Sequence, residues 1–146
     1  MTVLNQVADS DANLRDALAD VLAAWNTAAQ RWDAAALGQI YAEAGCLFGG
    51  RPGHSIGRAA ITEYFASYDG VILSGAIHAQ DQHVVGLSPG IVLAQGYVEM
   101  SFVLAPDQKT QSVLRSTLTL VQEGGAWKIL QHHFSPTPAA PPLGDR

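Results

Sequence analysis

Two adjacent histidines near the end of the chain have the side chains best suited to chemistry. His132 and His133 lie in a segment of predicted strand, so they point to opposite faces and cannot chelate one metal ion together. If even-numbered positions face the core, His132 is the one ionisable group on an inner row with Leu130 and Phe134. It is then either a proton shuttle or ligand-orienting group at a cavity floor, or a histidine satisfied by a carbonyl or hydroxyl that closes the core.

The face that His132 occupies depends on the turn before its strand. A three-residue Glu123-Gly124-Gly125 loop keeps even positions inward. A two-residue Gly124-Gly125 turn exchanges the faces of the strand and brings His133 inside. The sequence leaves both arrangements open.

Other residues that could do chemistry lack suitable partners. Asp81 and His83 share a strand face and form an acid–base pair only if that face is internal; otherwise they belong to a solvated edge. His78 and His83 do not have metal-ligand spacing, so we predict no metal site. Cys46, the single cysteine, has apolar neighbours and is predicted to be an inert core thiol. No nucleotide loop, haem motif or flavin fingerprint is present, so we predict no cofactor.

Length and charge limit the class of protein. A chain of 146 residues with 48% hydrophobic residues suits one domain, residues 1–146, with an N-terminal arm at 1–10 and a proline-rich tail at 136–146. The eight lysines and arginines are scattered and the net charge is -5, which argues against nucleic acid or a membrane as partner. With no leader or membrane-spanning segment recognised, we expect a cytoplasmic location.

Helical periodicity dominates the first half of the chain. An apolar stripe predicts an amphipathic helix from Asp11 to Trp32. Asp33 is the predicted N-cap of a short second helix. That helix carries Leu37, Ile40 and Tyr41. A short strand, Cys46-Leu47-Phe48, ends at Gly49-Gly50, and a third helix opens near Gly57.

Alternation replaces helical periodicity after residue 75. Four strands are predicted, at about 76–86, 91–104, 110–122 and 126–134, joined by turns short enough for an antiparallel meander. The predicted fold is therefore α+β, a cone-shaped roll with three N-terminal helices on a strongly curved antiparallel sheet. Even positions face the helices, Glu99 opposes Arg115 outside, and small residues at Val92, Ala94 and Gly96 leave room for an apolar cavity.

Three stretches of this sequence resemble the nuclear transport factor 2-like superfamily, cystatin-like in fold. More narrowly, the chain is similar to the SnoaL-like group and to the association domain of the calcium/calmodulin-dependent protein kinase II family. The stretches are 25–43 with its Tyr41-Ala42-Glu43, 56–65 with Gly57-Arg58-Ala59-Ala60-Ile61, and 124–135. The likeness spans about residues 14–143. It implies the fold but not the activity, because the superfamily includes isomerases, dehydratases, cyclases, epoxide hydrolases and scaffolds.

The functional residues of two groups in that superfamily have no counterparts at the matching positions of this chain. The ketosteroid isomerases' carboxylate base would fall at Gly49 and their tyrosine donor at Trp25, so isomerase chemistry of that kind is not expected. The association domain's cavity arginines would fall at Val98, Leu118 and Phe134. All three are apolar here, so the resemblance implies a cavity that does not favour a carboxylate.

The predicted function is binding of an apolar cyclic small molecule in the cone. If the protein is an enzyme, a cyclase, isomerase or dehydratase is expected, with no catalytic residue assigned beyond the candidate His132. The predicted ligand-binding residues are Trp25, Tyr41, Phe48, Tyr64, Tyr68, Val98, Met100, Phe102, Leu118, His132 and Phe134.

The alternative is a non-catalytic assembly module. In that interpretation a homodimer forms through the outer sheet face. The outer-face residues predicted for it are Tyr97, Ser101, Thr117, Thr119, Trp127 and Ile129.

Overall fold

A computed structural model describes residues 3–145, with side chains from residue 12 onward. Helices and one six-stranded sheet of order β2-β1-β6-β5-β4-β3 make up the fold. The helices are α1 (Val3–Ala29), α2 (Ala34–Gln39) and α3 (Arg58–Ala66), and the strands are β1 (Tyr41–Phe48), β2 (Ser55–Ile56), β3 (Ile72–Ser88), β4 (Ile91–Leu104), β5 (Gln108–Glu123) and β6 (Ala126–Ser135). None of the helices in the described part of the chain has both the length and the apolar character needed to cross a membrane.

The sheet is mixed, whereas the sequence predicts an antiparallel one. The meander β3-β4-β5-β6 is antiparallel as predicted. β1 pairs parallel with β6. Parallel neighbours need a long connection between them, and here α3 and the strands β3 to β5 provide it. The short β2, which the sequence analysis missed, pairs antiparallel with β1 at the other edge. The predicted α+β architecture, helices first and curved sheet last, is confirmed.

The first two helices differ from prediction at their ends. α1 begins at Val3, so residues 3–10 of the predicted arm are helical, and it ends at Ala29 rather than Trp32. Trp32 has a left-handed φ of 48°, which is incompatible with a continuing α-helix. Its side chain is nevertheless buried. The Asp33 cap is confirmed, since Ala36 N–H donates to Asp33 Oδ1 at 3.0 Å. Tyr41 opens β1 instead of ending α2.

Even-numbered positions of β4 and β5 face the helices as predicted. These core positions, exposed by 2% or less, are Val92, Ala94, Val98, Met100, Leu118 and Leu120. The connecting turn centres on Pro106, because Leu104 pairs with Gln108. Glu99 therefore opposes Val113, and Arg115 opposes Tyr97; the predicted Glu99–Arg115 pair is wrong, although the faces are unchanged.

Strand β6 combines a two-residue turn with a bulge. Glu123 pairs with Ala126, so Gly124 and Gly125 form the turn, at φ 62° and 79°. That turn alone would bring His133 inside. A register shift follows, however, in which Thr119 pairs with Gln131 and Leu120 with Ile129. The extra residue between them, Leu130, is bypassed, and the strand's faces exchange again.

Because of this bulge, His132 and Phe134 face the core, at 1% and 8% exposure. Ile129 replaces Leu130 in the inner row and is fully buried. Trp127 is half-buried and packs against the same core. The prediction that Trp127 and Ile129 lie on the outer face is therefore wrong. Residues 136–145 continue past β6 without helix or strand and are exposed.

Candidate functional site: a buried tyrosine–histidine pair

The Gly57-Arg58 segment at the start of α3 holds Tyr41 in place. Arg58 donates from Nε and Nη2 to the Tyr41 carbonyl oxygen at 3.0 and 2.9 Å, and Nη2 also reaches Glu123 Oε1 at 2.9 Å. Gly57 N–H donates to Gly45 O at 2.7 Å with a φ of 90°, which favours glycine. These contacts fix the start of β1, from which the Tyr41 side chain enters the core.

Tyr41 joins Trp25 of α1 to His132 of β6 through two hydrogen bonds. Trp25 Nε1 donates to Tyr41 Oη at 3.3 Å, and Tyr41 Oη lies 2.7 Å from His132 Nδ1. All three side chains are exposed by 1% or less. Indole N–H can only donate, and the tyrosine hydrogen needs an acceptor, so Nδ1 accepts and Nε2 holds the imidazole hydrogen. We call these three residues the relay.

The Nε2–H group of His132 is a buried donor without a hydrogen-bond partner among the described residues. Burial, aided by neighbouring His133, lowers the pKa of His132 to about 3. Burial also raises the pKa of Tyr41. Both rings are therefore neutral near pH 7. A neutral imidazole with an unpartnered N–H is suited to donating a hydrogen bond and, at a pKa of about 3, poorly suited to exchanging protons near pH 7.

Rings from α3, from β6 and from Trp32, just after α1, surround the relay. The Phe65 ring lies 6.1 Å from Trp25 and 5.7 Å from Tyr41, and Phe134 lies 5.0 Å from His132. Trp32 contacts Phe65 and donates to its carbonyl at 3.0 Å. Phe65 is not among the predicted ligand-binding residues, although it lies on the apolar face of α3. Its helical periodicity predicts burial without saying which side chains it meets.

Tyr64 of α3 lies against Gly49 and Gly50, the two residues that follow β1. Its hydroxyl accepts from Gly50 N–H at 2.8 Å, and burial raises its pKa. A Cβ atom added to Gly49 would clash with the Tyr64 hydroxyl and would lie 3.0 Å from Phe134 Cζ. A side chain at Gly49 would therefore have to displace Tyr64.

The structure places most predicted ligand-binding residues in or beside this core. Val98, Met100 and Leu118 are buried on the same sheet face as His132. Tyr68 and Phe102 instead contact Trp32, with ring centroids at 6.1 and 6.2 Å.

Phe48 lies outside the predicted site. Leu47 takes the inward position of β1, so Phe48 faces outward, is 44% exposed, stacks on His54 at 4.1 Å and contacts His133. Its inclusion among the cavity residues was wrong.

Two grooves lie on the outer face of the sheet. One, of about 400 Å³, is lined by Tyr97, Arg115, His133 and their neighbours; the other, of about 380 Å³, lies over Ser101 and Lys109. Asp81 and His83 are both exposed, with a bulge between Gln80 and His83, so they form no internal acid–base pair. Among the residues described, no three histidine, cysteine, aspartate or glutamate side chains group as a metal site.

This architecture, helices against one face of a curved sheet, is that of the cystatin-like, nuclear transport factor 2-like proteins. The chain belongs to the SnoaL-like domain family, whose model matches residues 18–140. No curated protein sequence matches it.

Solved structures of the same fold share little sequence with this chain. A candidate calcium/calmodulin-dependent protein kinase II association domain from Xanthomonas campestris is 20% identical with a TM-score of 0.76, covering 84% of this chain and 87% of that one. A nuclear transport factor 2-like protein from Salmonella enterica is 14% identical, TM-score 0.72, covering 92% and 99%. A candidate scytalone dehydratase from Novosphingobium aromaticivorans is 14% identical, TM-score 0.72, covering 95% and 99%. At these identities the likeness establishes the fold alone.

Proposed function

We propose that this protein binds an apolar small molecule with a hydrogen-bond acceptor, which receives the Nε2–H of His132. The proposal rests on one observation: this donor is buried and unpartnered, while the other ring nitrogen is fixed by Tyr41. Leaving a buried donor unsatisfied costs about 1–3 kcal/mol, which a ligand acceptor would offset. The surrounding rings favour an aromatic or alicyclic body.

Entry would pass beside Tyr64. Its ring is half-buried, and one hydrogen bond from Gly50 ties it to the segment after β1. The described ring contacts of His132 are to Tyr41 and Phe134, neither of which is a base at neutral pH. The site therefore favours binding, with polarisation of a carbonyl as the one catalytic contribution that His132 could make.

Two simple probes test the proposal: acetophenone, which has a carbonyl, and ethylbenzene, which does not. One hydrogen bond predicts that acetophenone binds about fivefold more tightly in an NMR titration. The ratio should fall to about one in His132→Phe and persist in the control His133→Phe. Because a ratio is compared within each variant, a weakened fold does not obscure the result. Equal affinities in the unmodified protein would contradict the proposal.

Assembly through the outer sheet face is the second candidate function. Phe48 and Tyr97 are 44% and 42% exposed there, on either side of His133 and the larger groove. A structural neighbour named as an association domain is consistent with it. We expect a homodimer in light scattering, dissociated by Tyr97→Arg but not by Leu87→Arg, which alters another exposed side chain, on β3. A monomer at micromolar concentration would exclude it.

A further inference from the structure

The bulge in β3 folds its backbone over the inner side of β4. The register shifts between Gln80 and His83, so Asp81 and Gln82 together face Gly96. A Cβ atom on Gly96 would lie 2.5 Å from the Asp81 carbonyl oxygen and 2.9 Å from Gln82 Cα. Only glycine permits this approach, which brings the Gln82 side chain onto the helix-facing side of the sheet.

The side-chain amide of Gln82 has a hydrogen-bond partner for its nitrogen but not for its oxygen. Its Nε2 donates to the Tyr97 carbonyl oxygen at 2.8 Å, which fixes the orientation of the amide because that carbonyl can only accept. Its Oε1 atom is buried and has no partner among the described residues. An acceptor is therefore left without a donor on the inner side of Gly96.

Ser116 supplies an unpartnered donor beside it. Ser116 is 3% exposed, pairs directly with Gly96, and its Oγ has no hydrogen-bond partner among the described residues. Direct cross-strand partners have Cβ positions about 4.5–5.5 Å apart, and the Gln82 amide lies against the Gly96 position. Ser116 also pairs with Phe134, two residues from His132, which makes it a diagonal neighbour of the relay at about 7–8 Å.

We propose that Gln82 and Ser116 form a second polar subsite that takes a hydroxyl group of the ligand. The inference rests on the proposed function of His132. A hydroxyl can accept from Ser116 Oγ–H and donate to Gln82 Oε1 at once, whereas a carboxylate would meet the Gln82 oxygen unfavourably and an ether could not donate. The ligand class is therefore a neutral ring compound with a carbonyl at one end and a hydroxyl at the other.

The test compares acetophenone with its para-hydroxy and ortho-hydroxy derivatives by NMR titration. The para-hydroxy compound should bind roughly fivefold or more tightly than acetophenone. The ortho-hydroxy compound should show no gain, because its hydroxyl bonds to its own carbonyl. Ser116→Ala should abolish the para gain, and Ser112→Ala, on the same face of β5 but exposed, should retain it.

A para gain that survives in Ser116→Ala, or no gain in the unmodified protein, overturns the subsite, since a buried water would then account for both orphaned atoms. Gln82→Met should also lose the gain, with Gln80→Met as its exposed control. The two proposals fail separately. Acetophenone binding no better than ethylbenzene overturns the role of His132, whereas a normal acetophenone preference without a para gain overturns only the subsite.

Discussion

His132 and His133 are consecutive in β6, yet they belong to two different regions of the molecule. His132 faces the helices, is 1% exposed and is held by Tyr41. His133 faces outward, contacts the exposed Phe48 ring and lines a groove. The inner face holds closely packed rings with a few unsatisfied polar atoms, and the outer face holds grooves between exposed side chains. The first arrangement is the basis of the proposed ligand site and the second is the basis of the proposed dimer.

The largest expected difference between the faces is in stability. Trp25→Ala removes a fully buried ring and the donor to Tyr41, and should lower the free energy of unfolding by about 3–5 kcal/mol. Tyr97→Ala, on the outer face, should change the monomer's stability by less than about 1 kcal/mol. Urea denaturation measures both. Similar losses for the two variants would mean that the outer face is also part of the core.

A methyl group at Gly49 tests how tightly the inner region is closed. Gly49→Ala should cost about 1–3 kcal/mol, because its Cβ would displace the Tyr64 hydroxyl and press on Phe134. Gly53→Ala is the matched control, since nothing lies within 4 Å of its added Cβ. Thermal unfolding of both variants decides the matter. If Gly49→Ala lowers the melting temperature no more than Gly53→Ala does, the Tyr64 side chain can move aside without loss of stability.

The buried histidine should make stability depend on pH. The pKa of His132 is about 3 in the folded chain and 6.5 when unfolded, so the unfolded state binds the extra proton first. Stability should be complete above pH 6.5 and fall as pH drops towards 3, by about 1.4 kcal/mol per pH unit from this residue. His132→Phe should lack this component, measured as the difference in slope between pH 6 and pH 5. His133→Phe should keep it. Parallel slopes for the wild type and His132→Phe would contradict the account.

The smallest expected effect is at Ser116. Its hydroxyl has no described partner, so Ser116→Ala removes an unsatisfied group and should leave stability unchanged or raised by up to about 1 kcal/mol. A clear loss in chemical denaturation would instead show that the hydroxyl is satisfied in the ligand-free protein.

Alternation in the sequence was enough to predict the inner rows of β4 and β5, because a period of two is local. It was not enough for β6, where the Gly124-Gly125 turn and the bulge at Leu130 each exchange the faces. The two changes cancel at His132, so the structure has the two-residue turn and still buries this histidine, a combination outside the two arrangements that the sequence left open. Trp127 and Ile129 precede the bulge, and their predicted faces were wrong.

The polar partners in the core depended on long-range contacts. Tyr41 and His132 are 91 residues apart, and no local pattern pairs them. Ser116 could have been noticed as a hydroxyl in the same row as Leu118 and Leu120. Gln82 could not, because it reaches the inner face only through an irregular bulge that the sequence does not mark.

The most direct test of the account is the protonation state of the His132 ring. Long-range nitrogen–hydrogen NMR correlations on protein labelled at its histidines distinguish the two tautomers and the charged form. We expect hydrogen on Nε2, none on Nδ1, and the same pattern from pH 7 down to pH 5, in line with a pKa of about 3. Hydrogen on Nδ1, or protonation with a midpoint near 6.5, would contradict it and remove the donor on which ligand binding depends.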